Sequence, residues 1–213
     1  MSRLETSLTK LLDIEHPILL APMGSNSGGA MASAVTEAGG LGIIGGGYGD
    51  RTSLEAEIEK AGNSRVGIGF ITWAIADNPG IIGTALERSP AALFLSFGDH
   101  TPYVAEIKRA DVPLICQVQT LEQARVALAS GANVIVAQGQ EAGGHGMMAR
   151  GTLSLVPAIV DLAGSVPVVA AGGIADGRGL AAALMLGASG VLMGTRFCAA
   201  EESLWKPEMK ADI

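Results

Sequence analysis

At 213 residues the chain has the length of one domain, and its 48% apolar content supplies a sizeable core. A net charge of −7 argues against a nucleic-acid or anionic-membrane surface, both of which need clustered Lys and Arg. Two cysteines, Cys116 and Cys198, are too few for a disulfide scaffold, and no run of 18 uncharged apolar residues suggests a membrane span.

The first ten residues, MSRLETSLTK, lack the apolar centre of a signal peptide, so a soluble, cytoplasmic protein is expected. The first apolar run is 17–22 (PILLAP), and a glycine-bearing stretch then leads into a helix that Gly39 would terminate. Runs at 41–46 and 66–71 follow, with capping-box spacing from Thr52 to Glu55 between them. Asn78-Pro79 and Thr101-Pro102 each offer an N-cap residue before a proline, on either side of the run at 91–96. The run at 113–118 precedes a second capping box, Thr120 to Gln123, and a helix closed by Gly131. Runs at 133–138, 166–172 and 189–194 complete the series, with Gly187 as another C-terminal stop.

Each run has the length of a buried parallel strand, and none alternates with polar residues as a half-exposed strand would. Eight β/α units predict a (β/α)8 TIM barrel, one domain over 1–213. The runs begin roughly 20–26 residues apart, about one strand plus one helix each. The interval from 133 to 166 is longer, and its excess lies in residues 139–152 (GQEAGGHGMMARGT). In this architecture, added loop length after a strand's C-terminal end serves the active site. The residues after the eighth run, interrupted by Pro207, leave the eighth helix incomplete, so the barrel reads as minimal or truncated.

Two segments carry chemistry. In residues 170–197 (AAGGIADGRGLAAALMLGASGVLMGTRF) the seventh run ends at Gly172-Gly173 and the eighth at Gly194-Thr195. Glycines let backbone N–H groups reach an anion, and the loops after strands seven and eight form the recurrent phosphate site of these barrels. In residues 138–148 (QGQEAGGHGMM), His145 stands in a glycine-rich loop at the same face, where an imidazole can act as a general base. Glu141 reads equally as its partner or as a surface carboxylate. His16 lies at the opposite face; His100, beside Asp99, stays open as a substrate contact. Gln138 reads as a ring contact or a packed residue at the barrel mouth, and Met23 as a ring contact or core. Cys116 has no visible activating base and reads as core. No cluster has metal-ligand spacing.

Residues 17–45, 138–146 and 170–197, in this order, resemble the nitronate monooxygenase family, formerly 2-nitropropane dioxygenases, with similarity from about Ile14 to Ser203. The resemblance implies an FMN-dependent flavoprotein that oxidises alkyl nitronates with O2 to a carbonyl compound and nitrite. It makes His145 the catalytic base for neutral nitroalkanes. It places the backbone of Ala21, Pro22 and Met23 against the isoalloxazine, with Gly69, Gln138, Gly143 and Gly144 touching the cofactor. Gly172, Gly173, Gly194 and Thr195 would cradle its phosphate. The partners implied are a small-molecule nitronate or nitroalkane and O2, with no nucleic acid, no membrane, and a homodimer compatible.

Three departures stand out: Gly69 where many members carry asparagine, Gly146 where many carry arginine, and a chain that stops where members continue. The alternatives are an FMN-dependent NAD(P)H:quinone reductase or enoyl-ACP reductase of the same superfamily, a flavin-free phosphate-binding isomerase or lyase, and a truncated flavin-binding chain without activity.

Overall fold

The computed structural model describes residues 4–147 and 149–213; residues 1–3 of the N-terminal segment and Met148 of the histidine loop lie outside them. Helix α1 (Ser7–Leu12) comes first. Strands then alternate with helices as β1 (Ile18–Leu20), α2 (Gly29–Glu37), β2 (Ile43–Gly47), α3 (Arg51–Ala61), β3 (Gly67–Ile71), α4 (Gly80–Leu86), β4 (Leu93–Ser96) and α5 (Thr101–Arg109). The second half runs β5 (Leu114–Val118), α6 (Leu121–Ser130), β6 (Val134–Gln138), α7 (Thr152–Ala163), β7 (Val168–Ala171), α8 (Gly177–Met185), β8 (Gly190–Met193), α9 (Thr195–Cys198) and α10 (Pro207–Lys210). Each apolar run of the sequence holds one strand.

All neighbouring strands are parallel, in the order β1-β8-β7-β6-β5-β4-β3-β2. The two ends of that sheet meet through a single bridge, Leu19 to Leu41. There the Leu20 N–H donates to the Leu41 carbonyl at 2.9 Å and the Leu41 N–H to the Ile18 carbonyl at 3.0 Å. The result is a nearly closed (β/α)8 barrel. Along each strand side chains alternate in direction, which separates two apolar clusters. Leu19, Phe94, Ile115, Val134, Val136, Val169 and Leu192 fill the interior, and Leu8 and Leu12 of α1 belong to the same cluster. Leu20, Ile68, Leu95, Cys116, Ile135, Val168 and Met193 pack outward against the helices.

The helix ends follow local chemistry, with some departures from the sequence reading. Thr120 caps α6, its side chain accepting from the Gln123 N–H, and Gly131 ends that helix at φ +84°. Gly39 and Gly187 also adopt positive φ just past α2 and α8. The cap of α3 is Asp50 rather than Thr52: the Asp50 carboxylate accepts from the Ser53 N–H at 2.7 Å, so the helix starts earlier. Asn78 does not cap α4, because its side-chain amide donates to the Gly49 carbonyl at 3.0 Å. After β8 the described residues hold two four-residue helices, α9 and α10. A cavity of about 250 Å3 is lined by Ile18 of β1, Met31 and Val35 of α2, and Phe197 and Ala200 after β8, among others.

Candidate active site

The C-terminal strand ends carry a group of buried amides. Gln117 and Gln138 continue the inward-facing series of Ile115 and Val136, which turns both side chains into the barrel mouth. The Gln138 Oε1 accepts from the Gln117 Nε2 and from the Gln119 Nε2, each at 2.9 Å. Gln119 also donates to the His145 carbonyl at 3.1 Å, and Gln138 donates to the same carbonyl at 3.3 Å and to the Gly143 carbonyl at 3.5 Å. Gln123 ties in from α6, accepting from the Gln119 N–H at 2.7 Å and donating to the Met147 sulfur at 3.4 Å. The histidine loop is therefore held by its backbone to β5 and β6. Its base is closed by the Gln140 N–H donating to the Arg150 carbonyl at 2.8 Å. Gln138, expected as a cofactor contact, lies in the mouth with its amide engaged by this loop.

His145 is exposed, and its imidazole is set between rings rather than beside a carboxylate. Phe97 lies 5.2 Å away between centroids, and Trp73 stands edge-on at 6.0 Å. Trp73 in turn meets Tyr48 edge-on at 5.7 Å. Glu141 does not partner His145. Its carboxylate accepts from the Thr152 N–H at 2.7 Å and the Thr152 Oγ1 at 2.8 Å, at the start of α7. Burial pushes the Glu141 pKa up, but the Thr152 bonds outweigh it and hold the group below its ordinary value.

His100 is likewise directed away from the mouth. It is buried, and its Nε2 lies 2.7 Å from the Ser130 Oγ on α6. Desolvation lowers its pKa, against a smaller upward pull from Asp99. His16 is exposed and lines the cavity beside α2. Cys116 is core, its thiol pushed by burial to about 12.

The glycine segments stand at the strand ends beside the histidine loop and the β1 turn. A Cβ on Gly172, at φ +115°, would stand 2.8 Å from the Thr152 Oγ1 and 2.9 Å from the Ala142 nitrogen, so only glycine lets the β7 turn approach the histidine loop. Gly173 keeps φ +70°. A Cβ on Gly143 would lie 3.7 Å from the Thr195 Oγ1, and one on Gly194 3.3 Å from the Met23 sulfur and 3.5 Å from Ala21 Cβ. Gly144 also has positive φ and open space around it. The ends of β1, β6, β7 and β8 thus bring these glycines to the same C-terminal face of the barrel. The first N–H groups of α9, beginning at Thr195, have no acceptor within their helix. A cradle of backbone donors without side chains suits a phosphate, so the residues present fit a phosphate-bearing cofactor.

The β1 segment offers surface rather than donors. The Ala21 N–H is spent on the Met193 carbonyl at 2.8 Å, the Met23 N–H on the Ser27 Oγ at 2.7 Å, and Pro22 has none. Any side chain on Gly69 would run into the Pro22 ring, 2.6 Å from its Cγ. Behind Met23, buried Asn26 donates to the Cys198 Sγ at 2.7 Å and accepts from the Ser203 Oγ at 2.5 Å, locking the β1 turn to the chain after β8. Reading the sequence missed Gln117, Gln119, Asn26 and the ring group of Tyr48, Trp73 and Phe97. For the glutamines a signal existed, since inward alternation along β5 assigns Gln117 to the mouth. Among the described residues, no group of three His, Cys, Asp or Glu could hold a metal, and no helix is long and apolar enough to cross a membrane.

A family model described as nitronate monooxygenase matches residues 5–64 and 80–213. Among curated relatives, a (3aS,4S,5R,7aS)-5-hydroxy-7a-methyl-1-oxo-octahydro-1H-indene-4-carboxyl-CoA dehydrogenase of Rhodococcus jostii is 37% identical over 95% of this chain and 58% of its own length. A probable nitronate monooxygenase of Staphylococcus aureus is 32% identical over 92% of this chain and 68% of its own. The chain therefore spans little more than half the length of the former. Among solved structures, FabK from Thermotoga maritima superposes with a TM-score of 0.90 at 38% identity, covering 98% of this chain and 67% of that one. A nitroalkane oxidase from Streptomyces ansochromogenes superposes at 0.81 with 30% identity, over 97% of this chain and 72% of that one.

Proposed function

Since the chain belongs to the nitronate monooxygenase family, we propose that it is an FMN-dependent oxidoreductase that oxidises alkyl nitronates, with His145 as the base that admits neutral nitroalkanes. The reaction balances with two nitronates and one O2 giving two carbonyl compounds and two nitrites. The observation that carries the reading is a shared face: glycines after β7 and β8 and a histidine presented from the β6 loop stand at one barrel mouth.

In this reading Gly172, Gly173, Gly194 and Thr195 hold the FMN phosphate, and Ala21, Pro22, Met23 and Gly69 pack against the flavin ring. Gly143 and Gly144 keep the loop beside the ring free of side chains. Bound flavin supplies electron transfer between substrate and O2, chemistry that belongs to the cofactor. The protein binds, orients and moves a proton. The His145 imidazole, flanked by Trp73 and Phe97, stands where a base would take a proton from the carbon next to a nitro group. Bonds from Gln119 and Gln138 to its carbonyl hold the main chain that carries the ring.

The test is to release and identify the flavin, then compare nitrite formation from ethyl nitronate and from nitroethane in wild type and His145→Asn. Bound FMN, nitrite from the nitronate, and a loss at least about ten-fold greater for nitroethane in the variant are expected. Equal small losses on both substrates would remove His145 as the base; no nitrite from either would remove the reaction.

A second reading is a flavin reductase, motivated by the FabK likeness over nearly the whole chain. Rapid bleaching of the flavin by NADH, with no nitrite from nitronates, distinguishes it.

A further inference from the structure

Beyond the proposed base and cofactor residues, the mouth carries a built ring group that neither uses. Tyr48 follows β2, Trp73 follows β3, Phe97 follows β4 and His145 follows β6, so four separate loops bring their rings together. Tyr48 is 62% exposed and Trp73 52%, in a chain with only two tyrosines and two tryptophans. Large aromatic side chains left open beside a candidate catalytic group mark a ligand surface rather than packing.

The backbone is fixed to keep them there. Where β3 and β4 end, the Thr72 N–H donates to the Ser96 carbonyl at 2.7 Å and the Trp73 N–H to the Phe97 carbonyl at 3.2 Å. Phe97 itself holds φ +58°, a left-handed conformation that residues with a β-carbon seldom adopt and that tends to cluster at ligand clamps. A Cβ on the following Gly98 would meet the Trp73 nitrogen at 2.8 Å, so the turn fits only glycine.

We propose that Tyr48, Trp73 and Phe97 form a substrate subsite that selects nitronates or nitroalkanes bearing an aromatic ring over short alkyl ones. The occupant follows from position: Trp73 and Phe97 flank His145, so whatever rests on them is attached to the carbon His145 addresses. The inclined rings, at 79° and 53° to the imidazole, offer edges and faces to a further ring in the offset or edge-on geometries that aromatic pairs prefer. This proposal rests on the nitronate reading, and its test separates the two.

The binding test uses the FMN-loaded protein with 3-phenylpropanoate and propanoate, carboxylates whose paired oxygens imitate those of a nitronate, and reads affinity calorimetrically. Phenylpropanoate is expected to bind about ten-fold more tightly than propanoate. Trp73→Ala should bring that ratio close to one, and Trp73→Phe should restore most of it. In turnover, Trp73→Ala should lower kcat/KM for the nitronate of 1-nitro-2-phenylethane about ten-fold more than for ethyl nitronate. Equal affinities in wild type, or a preference that survives Trp73→Ala, would overturn the subsite even if nitronates are oxidised. A Trp73-dependent preference for phenylpropanoate in a protein that forms no nitrite would uphold the subsite while the reaction falls.

Discussion

The side-chain amide of Gln119 donates to the backbone carbonyl of His145 at 3.1 Å, so a strand-end residue fixes the position of a loop residue 26 positions later in the chain. The same amide reaches Gln138, which bonds the same carbonyl. His145 is thus anchored by its main chain while its ring stays among rings.

Gln119→Ala removes one of the two donors to that carbonyl and leaves Gln117 to satisfy Gln138. The expected result is a drop of about ten-fold in kcat/KM for nitroethane, since small misplacements of a catalytic group are costly. Stability should fall by only about 1 kcal/mol, the usual worth of one hydrogen bond. Urea denaturation beside steady-state kinetics separates the two effects. A stability loss with unchanged kinetics would show that the amide holds the fold and not the base.

Gly69→Asn tests the glycine at the position where the family resemblance leads one to expect asparagine. The new side chain meets the Pro22 ring, so it must displace the β1 segment or distort β3. Overpacking of this kind costs about 1–3 kcal/mol, readable as a shift of the urea midpoint. A variant as stable as wild type would mean that Pro22 yields freely.

Asn26→Ala strips both partners from the buried knot behind Met23, leaving the Ser203 hydroxyl and the Cys198 thiol without Asn26. A loss of about 1–3 kcal/mol is expected from unsatisfied buried groups. Thiol labelling reads the change directly. Burial raises the Cys198 pKa against a lowering bond from Asn26, and the wild-type residue should resist iodoacetamide while the variant reacts as the turn loosens.

Acid sensitivity should trace in part to His100. Desolvation depresses its folded pKa below the ordinary 6.5, so below that pH the unfolded chain binds more protons than the folded one. The contribution is present above pH 6.5 and is lost as pH falls through the lower folded value. Thermal unfolding between pH 7.5 and 5 should fall less steeply in His100→Gln than in wild type. Parallel pH profiles would assign the acid loss to other groups.

The barrel was legible because buried parallel strands leave continuous apolar runs, and all eight survive in the structure within a residue or two of their bounds. Gly131 and Thr120 were readable because their roles depend on one or two neighbours. Thr52 was misread because Asp50, two residues earlier, offers a stronger acceptor to the same turn. Gly172-Gly173 and Gly194-Thr195 announced themselves by composition. Gln119 and Phe97 did not, since a lone amide or ring has no pattern, and their meaning comes from loops that approach only when the barrel closes. Glu141 stood four residues from His145 yet turned to the start of α7, which sequence proximity could not reveal.

The bridge between Leu19 and Leu41 makes the barrel a bracelet with a clasp. Seven strand junctions are stitched along their length, whereas the eighth is fastened by two amide bonds. Thermal breathing concentrates at the weakest fastening, so the amide hydrogens of Leu20 and Leu41 should be the earliest in the strands to exchange with solvent. Ala21, Pro22 and Met23 sit directly beyond that clasp. The side of the mouth with the least rigid hinge is therefore the side against which a flat ring would have to slide on its way in.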